Sequence, residues 1–183
     1  HGSGDLFGRP RFSPTTPEAV AIGPESEQFA AGACGVRVYD TDPSEPVRPL
    51  GPQRDSVATA LAFDPAGRRL AVGWADGRME VWNIPQGKRV LARRRGENAV
   101  KALAWDDAGH RVAALHAAVE EGDLKTVAPP AYLAAWDLRT GSLRLGETLR
   151  RTASGSWLGF GPAGRSLLLA GPQSLQVRPP EPG

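Results

Sequence analysis

Apolar residues along this chain come in short runs separated by turn-forming residues, and the clearest run alternates with a period of two. In Arg78-Met79-Glu80-Val81-Trp82, Met79 and Val81 fall on one face and Arg78, Glu80 and Trp82 on the other, directly after an Asp76-Gly77 turn. That combination predicts a hairpin strand. The same grammar recurs: a short apolar run, an Asp-Pro-Ala-Gly type of turn, a second apolar run, an Asp-Gly turn, then an alternating strand that ends in an aromatic residue.

The recurrence is a repeat. Residues 57–84 read VATALAFDPAGRRLAVGWADGRMEVWNI and residues 100–115 read VKALAWDDAGHRVAAL, which sets Phe63 on Trp105, Asp64 on Asp106, Gly67 on Gly109 and Arg69 on Arg111. Residues 157–170, WLGFGPAGRSLLLA, place Phe160, Pro162, Gly164 and Arg165 on Phe63, Pro65, Gly67 and Arg68. A fourth copy at residues 19–32 is weaker and keeps Ile22, Pro24, Phe29 and Gly32. The anchors Ile22, Phe63 and Trp105 are 41 and 42 residues apart, and 55 more lead to Phe160. Such a period suits four strands per unit, with one insertion before the last.

Units two and three close on Trp82-Asn83 and Trp136-Asp137, and unit one on Tyr39-Asp40. With these dipeptides of an aromatic residue and Asp or Asn, and the Asp76-Gly77 turn, residues 18–178 resemble the WD-repeat β-propeller family. The resemblance implies an all-β propeller of about four four-stranded antiparallel blades, either a partial ring or a ring completed by a second chain. It also implies that Asp76 shapes its turn and that Trp82, Trp136 and Tyr39 are packed rather than functional. The family's Gly-His dipeptide is replaced by Gly96-Glu97 ahead of unit three. The usual Ser/Thr-His-Asp-Trp hydrogen-bond network is therefore not expected to be complete, and apolar contact should carry more of the blade packing.

The repeat also disposes of a nucleotide signature. Gly159, Gly161 and Gly164 spell G-x-G-x-x-G, but Gly171-Pro172 soon follows where a helix is needed. The stretch is the unit-four copy of the turn at Pro65 and Gly67, and no cofactor is expected.

Composition narrows the remaining choices. The 22 basic and 20 acidic residues nearly balance, so no global affinity for nucleic acid follows. The one cysteine, Cys34, excludes an intrachain disulfide framework and is expected as a small buried side chain. Residues 1–4, His-Gly-Ser-Gly, read as a tag remnant, and a cytoplasmic protein is the expectation. Residues 179–183 form a proline-rich tail. Unit four has three strand-like runs, and residues 5–17 are expected to supply its closing outer strand. Self-closure, a piece of a longer chain and a homodimer that completes the ring all stay open.

Propeller strands are packing material, so recognition is expected on loops at one face. The second-to-third-strand turns and the connections between units share that face. On it fall Trp74, Arg93, Arg94, Arg95, His116, Arg150 and Arg151, the candidate partner-binding residues. The arginines suggest an acidic protein segment, and nucleic acid is the weaker choice because aromatic interleaving is thin. The insertion from His116 to Pro130 is the one departure from regularity, and its Glu120, Glu121 and Asp123 lack the spacing of a calcium loop. Trp105 is assigned to the core. No catalytic triad, zinc-ligand pattern or nucleophile elbow can be assembled. The reading is a noncatalytic protein-interaction scaffold. A C-terminal targeting or regulatory domain of a larger enzyme, a kinase or protease, and an RNA-binding propeller are the alternatives.

Overall fold

The computed structural model describes residues 19–24, 28–117, 130–149, 157–171 and 174–179. Its strands fall into four antiparallel sheets in chain order. Sheet one comprises β1 (Ala19–Ile22), β2 (Gln28–Gly32), β3 (Val36–Asp40) and β4 (Arg48–Leu50). Sheet two comprises β5 (Ala58–Phe63), β6 (Arg69–Trp74), β7 (Arg78–Asn83) and β8 (Lys88–Arg94). Sheet three comprises β9 (Val100–Trp105), β10 (Arg111–His116), β11 (Ala131–Asp137) and β12 (Leu143–Leu149). Sheet four has three described strands, β13 (Trp157–Phe160), β14 (Leu167–Gly171) and β15 (Ser174–Arg178). Each sheet is a simple meander, and the inner strands β1, β5, β9 and β13 neighbour one another in that order. Residues 5–17, the expected closing strand, lie outside the described residues.

Every interior sheet is covered on both sides, because a strand's odd and even residues point to opposite faces. We call the side toward the preceding sheet its leading face and the other its trailing face. Val36, Val38 and Leu50 on the trailing face of sheet one meet Leu70, Trp74 and Trp82 on the leading face of sheet two. Met79, Val81 and Leu91 on the other side of sheet two meet Val100, Val112 and Trp136 of sheet three. Leu133, Leu145 and Leu149 then meet Leu158, Leu167 and Leu169 of sheet four. The two faces expected for β7 are thus both interior, one toward each neighbouring sheet.

The turns between first and second strands follow the repeat. Asp64 accepts the backbone N–H groups of Arg68 and Arg69 at 2.8 Å each, and Asp106 accepts those of His110 and Arg111 at 2.7 and 2.8 Å. Gly67, Gly109 and Gly164 all take positive φ, between 64° and 65°. An L side chain is disfavoured there, which is why glycine recurs at this position. The G-x-G-x-x-G stretch is one of these turns: β13 and β14 pair antiparallel across it, with only a short 3₁₀ turn at Pro162–Gly164.

The expected aromatic packing holds at Trp82 and Trp136, which are buried, while Tyr39 is half-buried. Trp105 is half-buried rather than enclosed: it packs on the second core cluster, donates Nε1–H to the Ala62 carbonyl at 2.9 Å, and takes the Arg69 guanidinium over its ring. Cys34 is likewise half-buried, because it sits in the bend between β2 and β3 instead of within a strand. No helix among the described residues is long and apolar enough to cross a membrane.

Candidate interaction surface

The β6–β7 turn and the connection to sheet three form one structure. Gly77 has φ +78°, and a Cβ there would lie 2.8 Å from the Gly96 carbonyl oxygen and 3.0 Å from that of Asn98. The turn and the connection can approach this closely only because residue 77 lacks a side chain. Asp76 accepts the Arg78 N–H at 3.1 Å and donates its own N–H to the Ser56 hydroxyl at 3.2 Å, so its role is the geometric one that the resemblance implied.

Three candidate residues surround this platform and are exposed. Arg93 donates to the Gly141 carbonyl in the β11–β12 turn of the next sheet at 2.7 Å. Arg94 donates to the Asp76 carbonyl at 3.2 Å, and Arg95 lies 5.2 Å from the centroid of the Tyr132 ring. All three guanidinium groups are held in place by neutral partners, and none forms an ion pair with a described carboxylate. A cation that is positioned without being neutralised keeps its attraction for an external anion.

Trp74 and His116 do not stand on this surface. Trp74 is 2% exposed and belongs to the core between sheets one and two, because it ends a strand whose leading face is covered. Arg54 stacks over its ring at 5.1 Å. His116 is 1% exposed and points toward sheet two from β10, with Tyr132 edge-on at 6.3 Å. Burial pushes its pKa below the ordinary 6.5; the Asn98 backbone partly opposes this, and the Arg95 charge adds to the lowering. Neither ring nitrogen has a well-aligned hydrogen-bond partner among the described residues. Arg150 and Arg151 lie outside the described residues, as does most of the insertion, although Asn98 secures its end by donating to the Pro130 carbonyl at 3.2 Å.

Sequence reasoning missed Glu80. This carboxylate is fully buried in β7, where Arg54 reaches it at 2.6 Å, Arg89 at 2.8 Å and the Trp82 indole N–H at 3.3 Å. The indole of the repeat's closing tryptophan thus finds an acidic partner within its own strand. Polar contact joins the apolar packing expected in place of the usual network. The signal was an acid at an alternate position of a strand covered on both sides. Among the described residues, no group of three or more His, Cys, Asp or Glu side chains is placed to hold a metal ion.

The comparisons match this architecture. The family model for the WD40 domain of anaphase-promoting complex subunit 4 matches residues 20–108, which run from sheet one into sheet three. Over these residues the chain is similar to WD-repeat proteins, and its sheets are those of a WD40-type β-propeller. Mouse telomerase protein component 1 is 32% identical to it over 100 residues, covering 54% of this chain and 4% of that protein. The propeller therefore spans a small fraction of the length of this curated relative. WD-repeat domains serve in general as protein-interaction scaffolds, and the stacked sheets with a loop platform at one end suit that use.

Proposed function

We propose that this propeller is a noncatalytic scaffold that captures an acidic protein segment on the platform of the β6–β7 turn and the following connection. Arg93, Arg94 and Arg95 would supply the contacts. The observation that carries the reading is their state: exposed, held by three carbonyls and one aromatic ring, and not paired with a described carboxylate. A carboxylate-rich peptide would meet fixed donors, which reduces the ordering cost of binding. The matched names, a subunit of a complex and a protein component of telomerase, favour a role inside a larger assembly.

The test is fluorescence anisotropy with a labelled Glu/Asp-rich synthetic peptide and, in parallel, a labelled RNA of equal length. The peptide should bind, and Arg94→Glu should weaken it roughly tenfold, about 1.4 kcal/mol. Peptide affinity unchanged by Arg93→Glu, Arg94→Glu and Arg95→Glu together would refute the reading. RNA bound more tightly than the peptide would move the assignment to the nucleic-acid alternative.

A second reading, a targeting or regulatory module of a larger enzyme, is favoured by the 4% share of the mouse relative that the match covers. The sequence of the complete transcript, read for an adjoining kinase or protease domain, tests it.

A further inference from the structure

The junction between sheets one and two lacks an acid and an arginine that the next two junctions carry. Ile22, Phe63 and Trp105 pair with Phe29, Leu70 and Val112 across the first hairpin of each sheet. Gln28 is therefore the counterpart of Arg69 and Arg111, and Gly23 that of Asp64 and Asp106. In sheet two the acid and the arginine pair at 2.8 Å, and Arg69 lies against the turn glycine Gly109 of sheet three. Arg111 does the same for sheet four by donating to the Gly164 carbonyl. Sheet one has neither side chain, and Gly67 of sheet two faces Pro24 instead.

In their place is a cavity of about 270 Å³. Pro24, Pro65 and Ile84 give it apolar walls, and Gln28, Arg48 and Arg68 its polar groups. It lies between two sheets whose facing sides are both described. The β5–β6 and β7–β8 turns border it, so it stands at the end of the sheets opposite the arginine platform, which is built on the β6–β7 turn.

The polar groups are open to a guest. The Gln28 side-chain oxygen is buried and has no hydrogen-bond partner among the described residues. Arg68 has its backbone N–H held by Asp64 at 2.8 Å, while its exposed guanidinium pairs with no described carboxylate. Arg48 keeps a long contact with Glu45, 3.7 Å, and pairs of this exposed kind are weak. A buried acceptor calls for a donor, and two cations beside the same cavity call for an anion.

We propose that this cavity binds a carboxylate with an N–H beside it, the pattern that one residue of a peptide presents. Arg48 and Arg68 take the carboxylate, the Gln28 oxygen accepts the N–H, and the apolar walls take the adjoining aliphatic carbons. The volume is below the roughly 300–1,000 Å³ of sites for drug-sized ligands, which suits one residue and its flanking peptide groups. A Glu or Asp side chain and a free C-terminus both carry this chemistry. A guanidinium from a partner, the group missing from the repeat, is disfavoured by the two cations already there. The cavity and the platform share no residue, so either proposal can fail without the other.

Isothermal titration calorimetry of the full chain with two short synthetic peptides is the test. One carries an internal glutamate and an amidated end, and the other has no acidic side chain and a free C-terminal carboxylate. At least one should bind, and the better binder names the source of the carboxylate. Arg68→Gln should weaken it roughly tenfold. Gly23→Asp combined with Gln28→Arg restores the pair of unit two, adds no net charge and fills the cavity, so it should abolish binding and raise the melting temperature. Arg93→Glu, Arg94→Glu and Arg95→Glu together should leave this binding unchanged. Neither peptide binding at about 1 mM, affinity that survives Arg68→Gln or the paired substitution, or equal displacement by inorganic phosphate would each overturn the proposal. So would binding that appears only after Glu25→Gln with Glu27→Gln, because the chain would then occupy the site itself.

Discussion

Arg111 of sheet three donates Nη1–H to the carbonyl oxygen of Gly164 in sheet four at 3.0 Å, while its backbone N–H is held by Asp106 at 2.8 Å. One junction earlier, Arg69 pairs with Asp64 at 2.8 Å, and its Nη2 lies 3.0 Å from where a Cβ on Gly109 would sit. The left-handed glycines Gly109 and Gly164 thus each face the arginine of the sheet before them, whereas Gly67 faces Pro24. At the last two junctions the repeat carries its own coupling between sheets, built from residues that shape the turns.

Removing that coupling should loosen the last sheet first. Arg111→Ala leaves the Gly164 carbonyl without its cationic donor. Since the arginine is partly exposed, the loss should be about 1 kcal/mol of unfolding free energy. Hydrogen exchange should quicken in β13 and β14 more than in sheet two. Equal acceleration in all four sheets would show that Arg111 acts globally rather than at its junction.

Glu80 should be among the most sensitive polar positions. Arg54 and Arg89 converge on one buried carboxylate, so Glu80→Ala leaves two cations facing a void. Removing one partner of a buried pair costs on the order of 3 kcal/mol. Urea denaturation should register it as a lower midpoint with little change in slope. Glu80→Gln, which keeps the shape and one acceptor, should cost less, and equal losses for the two variants would assign the effect to packing alone.

The repeat was legible because strand period, turn glycines and closing aromatics are local in sequence. Phe63, Trp105 and Phe160 could be aligned from their spacing, and the turn at Gly164 could be told from a nucleotide loop. Location on the loop face was less legible, since Trp74 and His116 end strands whose last side chains turn inward under a neighbouring sheet. A linear pattern shows which side of its own sheet a residue takes. It does not show that both sides are covered, and that is what conceals Glu80 and makes the polar row of β7 an interior one. Arg93 illustrates the same limit: its partner, the Gly141 carbonyl, is 48 residues away.

Gly73 should tolerate no side chain. It lies in β6 against Val100 of β9, and a Cβ there would overlap the valine's Cβ and Cγ1. These atoms sit close to the backbone, so the overlap can be relieved only by moving the sheets apart. Gly73→Ala should cost about 1–3 kcal/mol by overpacking, read as a lower melting temperature. Combining it with Val100→Ala should return part of the loss, and a double variant no better than the single one would locate the strain elsewhere.

His116 should make the fold weaken in mild acid. Its pKa in the folded chain is lowered, chiefly by burial, from the ordinary 6.5 that the unfolded chain would show. Below that value the unfolded chain binds the proton and the folded chain resists it. Stability is therefore complete above the unfolded pKa and declines as pH falls from there toward the folded pKa, with a slope of at most about 1.4 kcal/mol per pH unit. Paired carboxylates such as Asp137, held low first by the Arg139 N–H, contribute in a separate window at lower pH. Melting temperatures measured between pH 8 and pH 5, a range of about three units around the histidine's transition, should fall for the wild-type chain and stay nearly level for His116→Leu. Parallel profiles for the two proteins would mean that His116 does not govern the loss.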